Sequence, residues 1–261
     1  MTALITGGSS GMGLEYARQL AAKGTSLLLV SNREDELKQA SENLSKEFGV
    51  QVVTRFQDLA KADAAEDLHR YCAQEGIVPD LVVLNAGMFF FTELSAEVLP
   101  KVEAMLELHV MTNTRLAVLF GDDMKKRGKG RIILVSSLAS RLPTPGITTY
   151  AATKAYLHSF GKSLWFELKP YGVTVTTIRP AAIATPLYKL KPSLMKLGVR
   201  TGFIKTPRWL VKRALRASER GRRVVSPSGM NIWLPPVIKA IPSGLELKIW
   251  KRLKPRPPQS L

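Results

Sequence analysis

The chain opens Met1-Thr-Ala-Leu-Ile-Thr-Gly-Gly-Ser-Ser-Gly-Met-Gly13, and no other stretch limits its folding as strongly. Residues 3–5 form a short apolar run of the kind that makes a buried strand. Gly7, Gly11 and Gly13 follow at once, and an amphipathic pattern then runs over 14–23. The order is therefore strand, glycine turn, helix. Glycines let the backbone approach a pyrophosphate, and the helix N-terminus presents unpaired N–H groups and a positive dipole end. The spacing is T-G-x-x-x-G-x-G rather than the more familiar G-x-G-x-x-G. A chain that begins this way reads as an α/β protein.

The remaining sequence agrees. Strands are predicted over 3–5, 26–30, 51–55, 81–84, 131–135, 173–178 and 223–225, and helices over 11–23, 34–48, 64–75, 99–126, 149–171 and 207–218. Alternation of this kind predicts one parallel sheet, doubly wound, with helices on both faces. Ligands of such sheets bind beyond the C-terminal strand ends. Gly7, Asn85, Ser137 and Pro180 each fall just after a predicted strand, so they converge on one rim.

Tyr150 and Lys154 stand four residues apart, and on a helix they share a face. A cation beside a phenol favours the phenolate and lowers the pKa from about 10, which suits proton transfer nearer neutrality. Ser137, thirteen residues before the tyrosine, offers a hydroxyl to the oxygen that receives the proton.

Taken together, T-G-x-x-x-G-x-G, Asn85-Ala86-Gly87 after a strand, the serine and Tyr-x-x-x-Lys make the chain similar to the short-chain dehydrogenase/reductase family. The resemblance is close over 1–186 and looser over 187–226. It implies a single Rossmann-type domain over 1–226, NAD(P) as hydride carrier, and interconversion of a ketone and a secondary alcohol. By the same resemblance Tyr150 is the general acid, Lys154 lowers its pKa and binds the nicotinamide ribose, and Ser137 holds the substrate oxygen. Thr6, Gly7, Ser9, Ser10, Gly11, Met12 and Gly13 would line the pyrophosphate. Asp58 and Leu59 would meet the adenine, although Asp58 also fits a helix cap. Asn85, Ala86 and Gly87 would lie beneath the ribose, and Pro180, Ile183 and Thr185 beside the nicotinamide. The family's helical asparagine position falls on His109, with Asn113 one turn further on. Either could hold a proton-relay water, and a relay through His109 would titrate near 6.5.

The end of the second strand reads Ser31-Asn32-Arg33, with no acid before Glu34. A carboxylate there would grip a ribose 2′-OH, whereas Ser31 leaves room for a 2′-phosphate and Arg33 can pair with it. The cofactor expected is NADP(H) in preference to NAD(H).

Specificity in the family lies after Thr185, so 186–205 is expected to form a lid. Met88 to Phe91 offer another apolar wall, and plain core packing is the alternative for both segments. Residues 227–261 form a basic, apolar extension. There Leu245, Ile249, Trp250 and Leu253 make one stripe, with Lys248, Lys251, Arg252 and Lys254 beside it. This layout weakly resembles the branch that contains 3-ketoacyl-CoA reductases, 17β-hydroxysteroid dehydrogenases and 3-ketosphinganine reductases.

Charge is segregated. Residues 187–261 carry 18 Lys and Arg against 2 Asp and Glu, out of 38 and 21 in the whole chain, whose net charge is +17. Such a segment suits an anionic membrane surface or an acyl carrier's phosphates. A self-packed helix or a dimer contact is the other outcome. Nucleic acid is not expected, because no reading motif accompanies the charge. Cys72 stands alone, which excludes an internal disulfide. With no secretory signal before the first strand and no spanning apolar run, a cytoplasmic protein is expected, peripheral on the membrane at most. No metal is expected. Homodimers or homotetramers pairing through 99–126 and 149–171 are implied by the family, as is a hydrophobic ketone or alcohol as substrate.

Overall fold

The computed structural model describes residues 1–142, 144–184, 192–201 and 204–254, apart from the side chains of 192, 194 and 195. Seven strands form one sheet: β1 Thr2–Thr6, β2 Ser26–Ser31, β3 Val52–Phe56, β4 Leu81–Leu84, β5 Gly130–Val135, β6 Val173–Ile178 and β7 Val224–Val225. All pairs are parallel, and the spatial order is β3-β2-β1-β4-β5-β6-β7. The order reverses between β1 and β4. That switch point opens a crevice at the strands' C-terminal ends, as expected for a doubly wound sheet.

The strands are apolar throughout because both faces are covered. Ala3, Ile5, Leu27, Leu29, Val83 and Ile133 point to one face, under α1 Gly11–Ala21, α2 Glu34–Phe48 and α8 Pro207–Glu219. Leu4, Leu28, Val30, Val82, Leu84, Ile132 and Leu134 point to the other. There they meet α3 Ala64–Gln74, α5 Asn113–Arg127 and α6 Thr148–Leu168. The period-2 alternation of side chains divides each strand's apolar run between two cores.

Two long helices depart from expectation. The helix expected over 99–126 comprises α4 Leu99–Leu106, a π-helical turn Glu107–Thr112, and α5. The Asn113 amide donates to the carbonyls of Leu108 and His109 at 3.1 Å each, which secures the wider turn. Turns of this kind gather at functional sites, and His109 lies within this one. The helix expected over 149–171 ends at Leu168 and closes in a 3-10 turn, Lys169–Tyr171. Pro170 has no N–H to continue the α-helical ladder.

Beyond the sheet's edge, α7 Pro192–Arg200 occupies part of the expected lid, while 185–191 lie outside the described residues. α9 Met230–Lys239 is helical through Pro235 and Pro236, and packs Met230, Leu234 and Ile238 onto Leu138, Leu142 and Ala181. α10 Ser243–Leu253 turns back so that Trp250 meets Phe91 edge-on at 6.1 Å. Lys254 pairs with Glu93 at 3.5 Å. Among the described residues no helix is long and apolar enough to cross a membrane.

Candidate active site

The crevice at the switch point is a cleft of about 450 Å³. It is built first from the turn between β1 and α1. Gly7 and Gly11 adopt φ of 63° and 53°, which side-chain-bearing residues avoid. A Cβ on Gly13 would stand 1.9 Å from the Gly7 carbonyl oxygen, so only glycine lets α1 start this close to the strand. Ser10 caps α1 by position but gives it no side-chain bond. The N–H groups of the first turn therefore keep their outward donors.

Thr6 ties this turn to the one after β4. Its Oγ1 accepts from the N–H groups of Asn85 and Ala86, each at 3.0 Å, and donates to the Val83 carbonyl at 3.3 Å. The Asn85 amide donates back to the carbonyls of Thr6 (3.1 Å) and Gly7 (3.4 Å), leaving its Oδ1 buried without a partner. A glycine-built cradle under open helix N–H groups, facing an orphaned buried acceptor, fits a nicotinamide dinucleotide.

At the far end of the cleft Ser31, Asn32, Arg33, Asp58 and Leu59 form the wall. Asp58 also accepts the Ala60 N–H at 3.0 Å, so it caps a local turn while lining the cleft. The Arg33 guanidinium is already engaged at that wall: it donates to Glu36 at 2.7 Å. Glu36 in turn accepts from Ser9 at 3.1 Å, and Ser9 contacts Ser31 at 2.9 Å. Bonds from Arg33 and Ser9 outweigh the opposing effect of burial and hold the Glu36 carboxyl below its usual range. Sequence reading placed no acid here. The i,i+3 spacing of Arg33 and Glu36 was the available signal.

At the near end the reacting groups assemble on β5, its following turn and α6. Lys154 is 4% exposed and donates to the Val135 carbonyl at 3.0 Å. Its Nζ stands 5.6 Å from the centre of the Tyr150 ring. Burial pushes the lysine's pKa down to about 8. Ser136 donates to the Lys154 carbonyl at 2.7 Å and fixes α6 to the strand. Ser137 accepts the Ala139 N–H at 3.1 Å, which orients the hydroxyl and keeps its own proton to give. Phe89 meets Tyr150 edge-on at 5.0 Å, with Met88 beside it in the cleft wall. Pro180, Ala181 and Ile183 complete the wall, and Thr185 lies outside the described residues.

His109 is placed differently from the expected relay. Its Nε2 accepts the Met88 N–H at 3.0 Å, and its Nδ1 pairs with the Thr153 hydroxyl at 2.9 Å. Thr153 also donates to the Tyr150 carbonyl at 2.9 Å. An imidazole that accepts at Nε2 carries its proton on Nδ1 and is neutral. Burial first, and the Lys154 charge second, hold its pKa well below 6.5. The expectation of a titration near 6.5 is therefore corrected. The ring clamps the turn after β4 to α6, and Asn113 is engaged by the π-helical carbonyls instead. Thr153 and Ser136 went unnoticed in the sequence, since a hydroxyl that bonds backbone leaves no spacing signature.

Comparison with known proteins points to one family. A family model described as short chain dehydrogenase matches residues 1–193. A very-long-chain 3-oxoacyl-CoA reductase of Rattus norvegicus is 32% identical over 209 residues, spanning 78% of this chain and 66% of the rat protein. The Homo sapiens protein of that name is 30% identical over 252 residues, spanning 95% and 77%. The chain thus spans about two thirds of the rat relative's length. Among solved structures, a short-chain dehydrogenase from Sphingobium yanoikuyae in complex with NADPH superposes with a TM-score of 0.77 at 26% identity, covering 100% of this chain and 98% of that one.

Proposed function

The chain belongs to the short-chain dehydrogenase family, and from that membership we propose that it reduces a hydrophobic ketone to a secondary alcohol with NADPH. The substrate we favour is a long-chain 3-oxoacyl thioester or a similarly lipid-like ketone. The observation that carries this reading is the placing of Tyr150 on the cleft rim, with Lys154 over its ring and Phe89 against its edge.

The roles follow from chemistry. The bound cofactor supplies hydride to the carbonyl carbon. Tyr150 passes its hydroxyl proton to the carbonyl oxygen as charge develops there. Ser137 donates a hydrogen bond to that same oxygen, and the Lys154 ammonium steadies the phenolate left on Tyr150. The turn from Gly7 to Gly13 holds the pyrophosphate, Asp58 and Leu59 the adenine, and Asn85 to Gly87 with Lys154 the nicotinamide ribose. Pro180 and Ile183 bound the nicotinamide. Among residues near the ribose 2′ position, Arg33 supports NADPH and Glu36 opposes it.

The hydrophobic character of the substrate is supported by Met88, Phe89 and Ala181 along the wall, and by the 3-oxoacyl-CoA reductases among the relatives. The test is oxidation of NADPH with long-chain 3-oxoacyl thioesters, 3-oxosphinganine, ketosteroids and small polar ketones. Turnover confined to the apolar ketones is expected, with a loss of about a hundredfold or more in Tyr150→Phe. Turnover of small polar ketones alone would overturn the substrate assignment and leave the chemistry in place.

A further inference from the structure

A second group of cations lies outside the residues that line the cofactor cleft. Pro235 has no N–H, so the carbonyl of Asn231, four residues earlier, has no helical donor. Arg141 supplies one, at 3.4 Å. Arg141 closes the short 3-10 turn Leu138–Arg141 that follows Ser137. Arg179 follows β6 directly and donates to the Ser226 hydroxyl at 2.8 Å, just past β7. His158 and Lys162 continue the Tyr150–Lys154 stripe along α6 at four-residue steps. Burial and the fields of Arg179, Lys162 and Arg141 push the His158 pKa down to about 4. Burial and Arg141 likewise lower Arg179.

No carboxylate among the described residues ion-pairs with Arg141, Lys162 or Arg179. Elsewhere Arg18, Arg33, Arg70 and Arg115 all have acidic partners. The same place holds buried polar atoms without partners: His158 Nδ1, Ser140 Oγ, and both Nδ2 and Oδ1 of Asn231. Asn231 is only 1% exposed. Like charges gathered beside unsatisfied buried polar atoms, of which Ser140 Oγ and Asn231 Nδ2 can donate, oppose folding unless an anion joins them.

We propose that Arg141, His158, Lys162, Arg179, Ser140 and Asn231 form a binding site for a phosphoryl group. Two guanidiniums and an ammonium suit a multiply charged anion with several acceptor oxygens, and arginine forks match phosphate geometry better than they match a halide. Arg141 is exposed, so an anion can reach it from solvent, while Asn231 is buried. The phosphoryl group comes either from a free anion or from the phosphate-bearing arm of a carrier such as coenzyme A.

The test uses the full chain. Inorganic phosphate is titrated at constant ionic strength against chloride, following thermal stability and the imidazole NMR signal of His158. A saturable rise in Tm is expected, with the His158 titration moving up as the anion offsets its cationic neighbours. Arg141→Gln and Arg179→Gln should each weaken phosphate at least about tenfold, as for loss of one charge-assisted hydrogen bond. Arg141 is exposed, so its variant keeps the test valid if Arg179→Gln folds poorly. Coenzyme A that competes with phosphate identifies the carrier as the source, and phosphate binding without competition identifies the free anion. Equal stabilisation of wild type and variants, an unmoved His158, or variants that change only the sedimenting species would overturn the proposal. The last result would make the cluster a subunit contact.

Discussion

At the scale of single residues, buried polar groups decide how the cleft behaves with pH and cofactor. His109 and His158 both titrate below 6.5 in the fold. Below 6.5 the unfolded chain binds protons there that the folded chain refuses, so stability falls as pH drops through that value. His158→Gln should flatten part of the loss between 6.5 and about 4, read as Tm against pH. His109 should leave no inflection near 6.5 in kcat/KM. Lys154 acts in the window above: its pKa of about 8 removes the ammonium, and with it the support for the Tyr150 phenolate, as pH rises past that value. The kcat/KM for reduction should therefore fall above about pH 8. Glu36 occupies Arg33, so under the NADPH proposal it competes with a 2′-phosphate for that guanidinium. Glu36→Gln should tighten NADP⁺ relative to NAD⁺ by roughly three- to tenfold, measured as Kd by fluorescence quenching, the scale of a partly exposed charge pair. An unchanged ratio would mean that Arg33 does not read the 2′ position. Sequence showed Arg33 but not its occupation, since only the start of α2 brings Glu36 back beneath Ser9.

At the scale of elements, the glycine turn was the most legible part of the chain. Strand, Gly7, Gly11, Gly13 and helix form a local code, and the structure obeys it because a Cβ at Gly13 would meet the Gly7 carbonyl. Gly13→Ala should push α1 off the strand, destabilise the fold by about 1–3 kcal/mol and abolish tight dinucleotide binding. Chemical denaturation and cofactor titration on the same sample separate the two effects. Retained binding with normal stability would show that the turn adapts. The π-helical turn was not legible, because a one-residue widening leaves the apolar pattern of 99–126 almost unchanged. Its determinant is tertiary, with Asn113 taking two carbonyls and His109 reaching across to Met88 and Thr153. The helix across Pro235 and Pro236 was hidden for a similar reason. Its lost donor at Pro235 is replaced by Arg141, ninety residues distant in sequence.

At the scale of the whole molecule, the sequence already showed that charge and chemistry occupy different regions, and the structure shows the surface on which the charge sits. α9 turns Met230, Leu234 and Ile238 inward and leaves Ile232, Trp233 and Val237 out, Ile232 at 76% exposure. α10 leaves Leu245, Leu247, Ile249 and Leu253 exposed beside Lys248, Lys251 and Arg252, while Trp250 packs against Phe91. Phe91 belongs to the segment that continues from Met88 and Phe89 in the cleft wall, so the basic extension packs against that segment. A soluble helix pair gains nothing by exposing this much apolar surface; an interfacial pair does, because lipid covers the apolar stripe and anionic headgroups meet the lysines and arginines. Under the lipid-ketone proposal, the extension is thus expected to hold the protein at an anionic bilayer. The full chain should sediment with vesicles containing phosphatidylserine at low salt and release as salt rises. Trp233→Asp with Ile232→Asp should weaken binding at every salt concentration, whereas Lys248→Glu with Lys251→Glu should weaken it chiefly at low salt, each charge being worth about 1 kcal/mol near the surface. Turnover of a small soluble ketone should be unchanged in both variants, and turnover of a vesicle-borne ketone should fall. Failure of the unaltered chain to sediment with anionic vesicles would assign the exposed stripe to contact with a second copy, which equilibrium sedimentation would then detect.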